Sequence, residues 1–177
     1  MRLAFYADES SLVDGYARCI ESSLKSGNVI IAALTESHRI SVLRELEAKG
    51  IDPAAAIEQD RYIPVDAVDT LLRLTVDDMP DPIRCANEIG DLIRLAANGV
   101  KSEHGRVVVC GEIAPTLLSK NSEGAVKLEH LWDEITRGYG VQTLCGYLSS
   151  AFPYPEADAV FQRICAEHTA RFTDGRV

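Results

Sequence analysis

A short apolar run that ends in a glycine and a glutamate is the stretch of this sequence with the clearest chemical potential. Residues 107–110 read Val-Val-Val-Cys, which predicts a strand buried on both faces in the middle of a parallel sheet. Gly111 and Glu112 follow directly. Because ligands of open α/β sheets bind outside the carboxyl ends of the strands, we expect the Glu112 carboxylate to lie nearest any site.

The motifs of nucleotide hydrolysis and nucleophilic catalysis are absent from the sequence. It contains no G-x-x-x-x-G-K-[ST] loop, no G-x-G-x-x-G and no G-x-S-x-G elbow. Cys110 could in principle act as a nucleophile, but the spacing of the four histidines, at 38, 104, 130 and 168, pairs none of them with it. We therefore expect no catalysis and assign no catalytic residue.

A metal site is not predicted either. The sequence lacks H-E-x-x-H and C-x-x-C, although Glu112, Glu129, His130 and Glu134 could converge in the fold. The five cysteines, at 19, 85, 110, 145 and 165, are widely spaced and are interpreted as buried free thiols. No cofactor is implied by these patterns.

The charge balance limits the kinds of partner. The sequence has 27 acidic and 18 basic residues, a formal charge of −9, which argues against direct nucleic-acid binding and against an anionic membrane surface. The amino-terminal residues lack the apolar region of a signal peptide, and no stretch has the apolar length of a membrane helix. We expect a soluble, cytoplasmic protein.

Strands and helices must alternate to position Glu112. Continuous apolar segments predict five strands, at residues 3–6, 29–34, 62–65, 106–112 and 141–148. Helical periodicity and caps predict helices that end near residues 25, 49, 59, 74, 97, 119, 137 and 170. This order predicts parallel βαβ units in a three-layer αβα domain, with a mostly parallel sheet of about five strands. The domain would span residues 1–172, followed by a tail at 173–177, and the segments 75–82 and 149–155 are candidate lids.

Six short motifs occur along the chain in a characteristic order. They are Phe5-Tyr6-x-Asp8, Thr35-x-x-His38, Gly111-Glu112, Leu128-Glu129-x-Leu131-Trp132-x-Glu134, Leu144-Cys145-x-Tyr147 and Ile164-Cys165-x-x-His168. In this order and spacing the sequence resembles the MEDS domain, the methanogen/methylotroph DcmR-type sensory domain, over about residues 3–170.

The resemblance implies a fold, a role and a set of site residues. It implies a RecA/KaiC-like α/β fold without a P-loop, and a non-enzymatic sensory module. We expect this module to bind a small molecule, such as a hydrocarbon derivative, or a protein partner at the carboxyl edge of the sheet. Its partners would be a histidine kinase of a two-component system or a transcription regulator. Independently of the resemblance, the sequence leaves a homodimer open. The matching positions, taken as candidate ligand-binding residues, are Tyr6, His38, Gly111, Glu112, Glu129, Trp132, Tyr147 and His168. Glu112 would be a polar anchor, with Trp132 and Tyr147 as apolar walls.

Two other functions remain open at this point. A protein-interaction or adaptor domain without a ligand would use the helix that begins at Ser122, or the last helix, as its contact surface. A degenerate nucleotide-binding RecA-like enzyme would bind a magnesium–nucleotide complex, which the missing phosphate loop disfavours.

Overall fold

Strands and helices alternate along the protein, whose computed structural model describes residues 1–152, 154, 158–168 and 170–173. The strands are β1 (Arg2–Tyr6), β2 (Val29–Leu34), β3 (Tyr62–Asp66), β4 (Thr75–Val76), β5 (Met79–Pro80), β6 (Val107–Gly111), β7 (Gln142–Leu148) and β8 (Ala170–Thr173). The helices are α1 (Glu9–Lys25), α2 (Glu36–Ala48), α3 (Pro53–Glu58), α4 (Ala67–Leu74), α5 (Pro82–Asn98), α6 (Ile113–Leu118), α7 (Ser122–Gly138) and α8 (Ala159–Ala166).

The main sheet is parallel throughout. Its strand order is β3-β2-β6-β7-β1-β8, and every neighbouring pair runs in the same direction. All five predicted strands are present, so the αβα prediction is confirmed. The finer likeness to RecA or KaiC stays a prediction.

The sixth strand was not predicted. The last helix, expected to continue to residue 170, ends at Ala166, and Ala170–Thr173 pairs with residues 2–5 of β1. The outer edge of β1 offers unpaired backbone groups, and this pairing satisfies them. Thr173, the first residue of the predicted tail, belongs to β8; residues 174–177 lie outside the described residues.

The first candidate lid, residues 75–82, is a small hairpin rather than an irregular loop. Thr75 pairs with Pro80 and Val76 with Met79, so β4 and β5 are antiparallel. The two connecting residues, Asp77 and Asp78, have φ angles of 50° and 57°. Such left-handed conformations are those of a two-residue hairpin turn. The Asn121 side chain donates a hydrogen bond to the Asp78 carbonyl (3.1 Å), which attaches the hairpin to the start of α7.

The helices form two layers. On one face α1, α2 and α3 contact one another, and on the other α4 to α8 do. Successive β2 side chains point to opposite faces of the sheet, so this strand packs against both helix layers. Ile30, Ala32 and Leu34 pack under α1 and α2, and Val29, Ile31 and Ala33 pack under α4 to α7. All six are buried, and burial of each of the four larger ones, which are valine, isoleucine or leucine, stabilises the fold by about 1.5–3 kcal/mol.

Helix starts are fixed by aspartate and asparagine side chains. Asp8 accepts from the Ser11 N–H, Asp66 from the Val68 and Asp69 N–H groups, and Asn121 from the Gly124 N–H. These bonds satisfy amides that have no partner inside the helix. Of the helices in the described ranges, none is long and apolar enough to cross a bilayer.

Candidate functional site

Glu112 lies at the carboxyl ends of two adjacent strands whose chains leave in opposite directions. After β2 the chain enters α2 on one face of the sheet, and after the adjacent β6 it enters α6 on the other. Such a reversal opens a crevice at the carboxyl ends of the two strands. Glu112 follows β6, Thr35 follows β2, and the Glu112 N–H donates to the Ala33 carbonyl at 3.0 Å.

The carboxylate of Glu112 is occupied by groups of the protein itself. Its Oε1 accepts from the Thr35 N–H (2.7 Å) and the Thr35 hydroxyl (2.8 Å). His38 Nδ1 lies 2.9 Å from Oε1 and 2.8 Å from Oε2. Thr35 directly precedes α2, but its side chain does not cap the helix; its hydroxyl donates to Glu112 instead. The carboxylate therefore ties the start of α2 to the end of β6.

The charge on His38 is stabilised by this contact. The hydrogen bond to Glu112 raises the pKa of His38 above its ordinary value, and the negative charges of Glu112 and Glu9 act in the same direction. The Glu112 side chain is only 6% exposed and that of His38 15%, so water screens the pair weakly.

Gly111 allows β2 and β6 to approach closely. A Cβ at this position would overlap the Ala33 carbonyl oxygen and lie 2.9 Å from the Ala33 Cβ. The Gly111 carbonyl accepts a hydrogen bond from the Tyr16 hydroxyl at 3.0 Å. Tyr6, another predicted site residue, packs beside Tyr16 with ring centroids 6.4 Å apart, and burial raises its pKa to about 12. Both tyrosines belong to the core under α1.

A second buried polar cluster lies on the opposite face of the sheet. Glu129 on α7 accepts from the Tyr147 hydroxyl at 2.5 Å (Oε1) and from the Cys145 thiol at 3.4 Å (Oε2). His168, two residues after α8, places Nε2 3.5 Å from Oε2. The side chains of Glu129 and His168 are 1% and 0% exposed.

The negative charge of Glu129 affects its neighbours. Burial, followed by the proximity of Glu129, raises the pKa of the Tyr147 phenol and of the Cys145 thiol well above their ordinary values. Both groups are therefore protonated at neutral pH and act as hydrogen-bond donors.

A small cavity adjoins this cluster, between β6 and β7 on one side and α6 and α7 on the other. Its volume is about 20 Å³, enough for about one water molecule. Most of its wall is apolar, and it includes Val109, Ile113 and Leu128. Glu129, Trp132, Thr143 and Cys145 also line it. The cavity thus combines a mostly apolar surface with a few polar groups, but in this conformation it is much smaller than the roughly 300–1,000 Å³ of typical small-molecule sites.

Two residues of this wall carry a buried polar atom. Within residues 1–152, 154, 158–168 and 170–173, neither Trp132 Nε1 nor Thr143 Oγ1 has a hydrogen-bond partner. A buried polar group without a partner costs about 1–3 kcal/mol, so both atoms favour an occupant that supplies one. Trp132 also lines an open groove of about 620 Å³ beside β3, α4 and α5. The indole therefore borders both the cavity and the solvent-facing groove.

The eight predicted site residues fall into separate places rather than one pocket. His38 and Glu112 are joined in the crevice; Glu129, Tyr147 and His168 form the second cluster; Trp132 and Gly111 line the cavity; Tyr6 packs under α1. Sequence reasoning missed Thr35, Thr143 and the contact of Cys145 with Glu129. No sequence spacing joins them, because each contact crosses between elements.

The second candidate lid is only partly described. Residues 149–151 form a 3₁₀ turn, and Phe152 packs against Phe5 and Tyr147 in the core. Tyr154 is 78% exposed. Residues 153 and 155 lie outside the described residues.

The chain matches a known protein family over most of its length. The family model described as MEDS, MEthanogen/methylotroph, DcmR Sensory domain, matches residues 2–163. No curated protein matches the chain. The match is shorter at its carboxyl end than the resemblance over residues 3–170 suggested, so His168 lies beyond it.

Proposed function

Because the chain belongs to the MEDS family of sensory domains, we propose that it is a non-enzymatic signalling module that binds a small, mainly apolar molecule carrying a polar atom. The site is the cavity between β6, β7, α6 and α7. The observation that supports this assignment is that Trp132 and Thr143, which line this mostly apolar cavity, each carry a buried polar atom without a hydrogen-bond partner among the described residues. The indole donates to the ligand's polar atom, and the hydroxyl donates or accepts.

Ligand entry is coupled to movement of α7 in this proposal. The cavity holds about one water molecule when closed, so a larger ligand fits only a conformation in which Trp132 or α7 has shifted. A ligand that binds the shifted conformation better increases its population. Since α7 contacts α5, α6 and α8, the shift reaches the surface that a histidine kinase or transcription regulator would contact.

Glu112 has a positioning role in this scheme. Its carboxylate is held by Thr35 and His38, and it keeps β2 and β6 in register at one wall of the cavity. Gly111 and Ala33, one from each strand, belong to that wall.

The intrinsic fluorescence of Trp132 provides the test, since it is the single tryptophan of the sequence. The protein is titrated with a graded series of short-chain alcohols, ketones and haloalkanes. We expect a saturable change in emission for members of matching size. A ligand at about a hundred times its Kd stabilises the fold by about 2.7 kcal/mol, which raises Tm by about 5–10 °C for a domain of this length.

A pair of threonine variants identifies the site. Thr143→Val keeps the side-chain shape and removes the hydroxyl, so the affinity for polar ligands should fall about tenfold, the equivalent of one hydrogen bond. Thr75→Val is the matched control, because Thr75 is also buried but its hydroxyl bonds the Leu71 carbonyl (2.8 Å) away from the cavity. A saturable response that Thr143→Val leaves unchanged, or no saturable response to any compound, would count against the cavity as the site.

An adaptor function is the second candidate. It is favoured by large apolar side chains that remain exposed on α4 and α5: Leu72 (64%), Ile83 (73%) and Leu95 (59%). They lie on different helices from those that the sequence indicated. If they form a homodimer interface, light scattering after size exclusion gives a dimer mass that Leu95→Glu converts to a monomer mass. A monomer mass for the unaltered protein removes this candidate.

A further inference from the structure

Three buried side chains of different chemistry converge on the face of the sheet covered by α7 and α8. Glu129 supplies a carboxylate oxygen, Cys145 a sulfur and His168 an imidazole nitrogen. Glu129 Oε2 lies 3.4 Å from the Cys145 Sγ and 3.5 Å from the His168 Nε2, and the three atoms all lie within 4.8 Å of one another. All three residues are buried.

These separations match the edges of a tetrahedral metal site. A zinc ion bound at about 2.3 Å to sulfur and about 2.0–2.1 Å to oxygen and nitrogen holds its ligand atoms about 3.3–3.6 Å apart. Both distances from Glu129 Oε2 agree with this range. The remaining edge, between Cys145 Sγ and His168 Nε2, is at most 4.8 Å long and has to shorten by at most about 1.5 Å, which side-chain rotation can supply.

The surrounding hydrogen bonds present the three atoms as ligands. His168 Nδ1 lies 2.8 Å from the Ile164 carbonyl oxygen, and since a carbonyl only accepts, Nδ1 carries the proton. In the neutral ring Nε2 is then a bare lone pair, and it has no hydrogen-bond partner in the described part of the chain. Tyr147 occupies Glu129 Oε1, which leaves Oε2 for an ion. Partners of this kind orient metal ligands in proteins.

Charge balance selects a divalent ion. A carboxylate, a thiolate and a neutral imidazole carry a total charge of −2, so a divalent cation gives a neutral cluster in this buried position. On binding, the thiol proton of Cys145 leaves to solvent as the metal–sulfur bond forms. The metal-free arrangement places the Nε2 lone pair against the Glu129 carboxylate unless the histidine is protonated.

From these contacts we infer that Glu129, Cys145 and His168 bind a divalent transition-metal ion, with zinc the closest match to an oxygen, sulfur and nitrogen set. Magnesium and calcium are excluded by the sulfur and nitrogen ligands. The fourth position belongs to water, and Glu129 and Cys145 also line the cavity beside it. This site does not depend on the proposed sensing function, since the ion would fix α7 to β7 and to the residues after α8 in any case.

Cobalt substitution tests the site directly. The full chain is freed of metal by dialysis against a chelator and titrated with Co²⁺. We expect one equivalent to bind, with the visible absorption of tetrahedral cobalt and a near-ultraviolet thiolate-to-cobalt charge-transfer band, and Zn²⁺ should displace it. Cys145→Ser should remove the charge-transfer band, and His168→Gln should weaken binding by at least about tenfold.

Matched controls separate this site from adventitious binding. Cys85→Ser and His130→Gln alter a buried cysteine and an exposed histidine outside the cluster and should leave the titration unchanged. If a ligand variant does not fold, X-ray absorption of the zinc-loaded unaltered protein should still show one sulfur among lighter scatterers. Uptake of less than one equivalent, a cobalt complex without the thiolate band, or no sulfur scatterer would overturn the site and leave a Glu129–His168 ion pair in its place.

Discussion

Replacing Glu112 by glutamine changes the charge of the crevice with little change in its shape. The amide oxygen can still accept from the Thr35 N–H and hydroxyl, but these bonds lose their charged acceptor. Hydrogen bonds to charged groups contribute about 1.5–3 kcal/mol and neutral ones about 0.5–1.5, so each bond loses about 1 kcal/mol. With the bond to His38, the free energy of unfolding should fall by about 3 kcal/mol when the histidine is charged.

The size of this loss should depend on pH through His38. The pKa of His38 is raised in the folded state, so the ion pair contributes fully below about pH 6.5, the ordinary value of histidine, and is lost as pH rises through the folded-state pKa. Above that pKa the neutral ring still donates one N–H. The difference between the unaltered protein and Glu112→Gln should therefore shrink toward about 2 kcal/mol at high pH, the part due to the two Thr35 bonds.

Urea unfolding at several pH values measures both effects. Glu123→Gln is the matched control, because Glu123 also forms an ion pair, with Arg163 at 2.6 Å, but its side chain is 64% exposed. The control should show a small loss that changes little over this pH range, since exposed pairs contribute little. If Glu112→Gln is no more destabilising than the control, or if its loss grows as pH rises, the carboxylate does not tie α2 to β6.

Three further tests probe other parts of the structure. Gly111→Ala should destabilise the protein by about 1–3 kcal/mol in urea unfolding, because the added Cβ meets the Ala33 backbone. Gly138→Ala is the control: a Cβ there meets no other part of the described structure within 4 Å, so this variant should not be destabilised. Asp66→Ala should cost about 1 kcal/mol in the same assay through loss of the α4 cap; a loss near zero would show that the cap is dispensable. In a thiol-modification time course of the native protein, Cys19 should react fastest, since it is partly exposed and a hydrogen bond with Cys110 lowers its pKa. Cys19→Ser should therefore remove the fast phase. Cys85→Ser should leave the fast phase in place, because the Cys85 thiol is buried and its pKa is raised by burial to about 11.

The strands and most helices could be predicted because their signals are local. The β2 and β6 segments are continuous apolar runs, which identify buried parallel strands without knowledge of their neighbours. The last strand gave no such signal, because residues 170–173 read Ala-Arg-Phe-Thr and form an edge. This strand, β8, forms only by pairing with the otherwise unpaired edge of β1, which lies far away in sequence.

The candidate sites could be predicted only in part. The position of Glu112 after a central strand placed it correctly at the carboxyl edge of the sheet. Its pairing with His38, 74 residues away, depends on β2 lying next to β6, which no sequence pattern indicated. Cys145 was interpreted as an ordinary buried thiol, because its polar neighbours are distant in sequence. They are Glu129 on α7 and His168, which lies beyond the end of α8.

The position of β1 has a consequence for synthesis on the ribosome. This strand lies between β7 and β8, so its two hydrogen-bonding edges are satisfied by residues 142–148 and 170–173. As the chain emerges from the ribosomal tunnel, residues 2–6 remain exposed until both segments have been made. Closing contacts over such long separations slows folding and lengthens the exposure of an apolar segment. The nascent chain should therefore depend on chaperones, such as those that bind extended apolar peptides, more than a domain that pairs its first strand early.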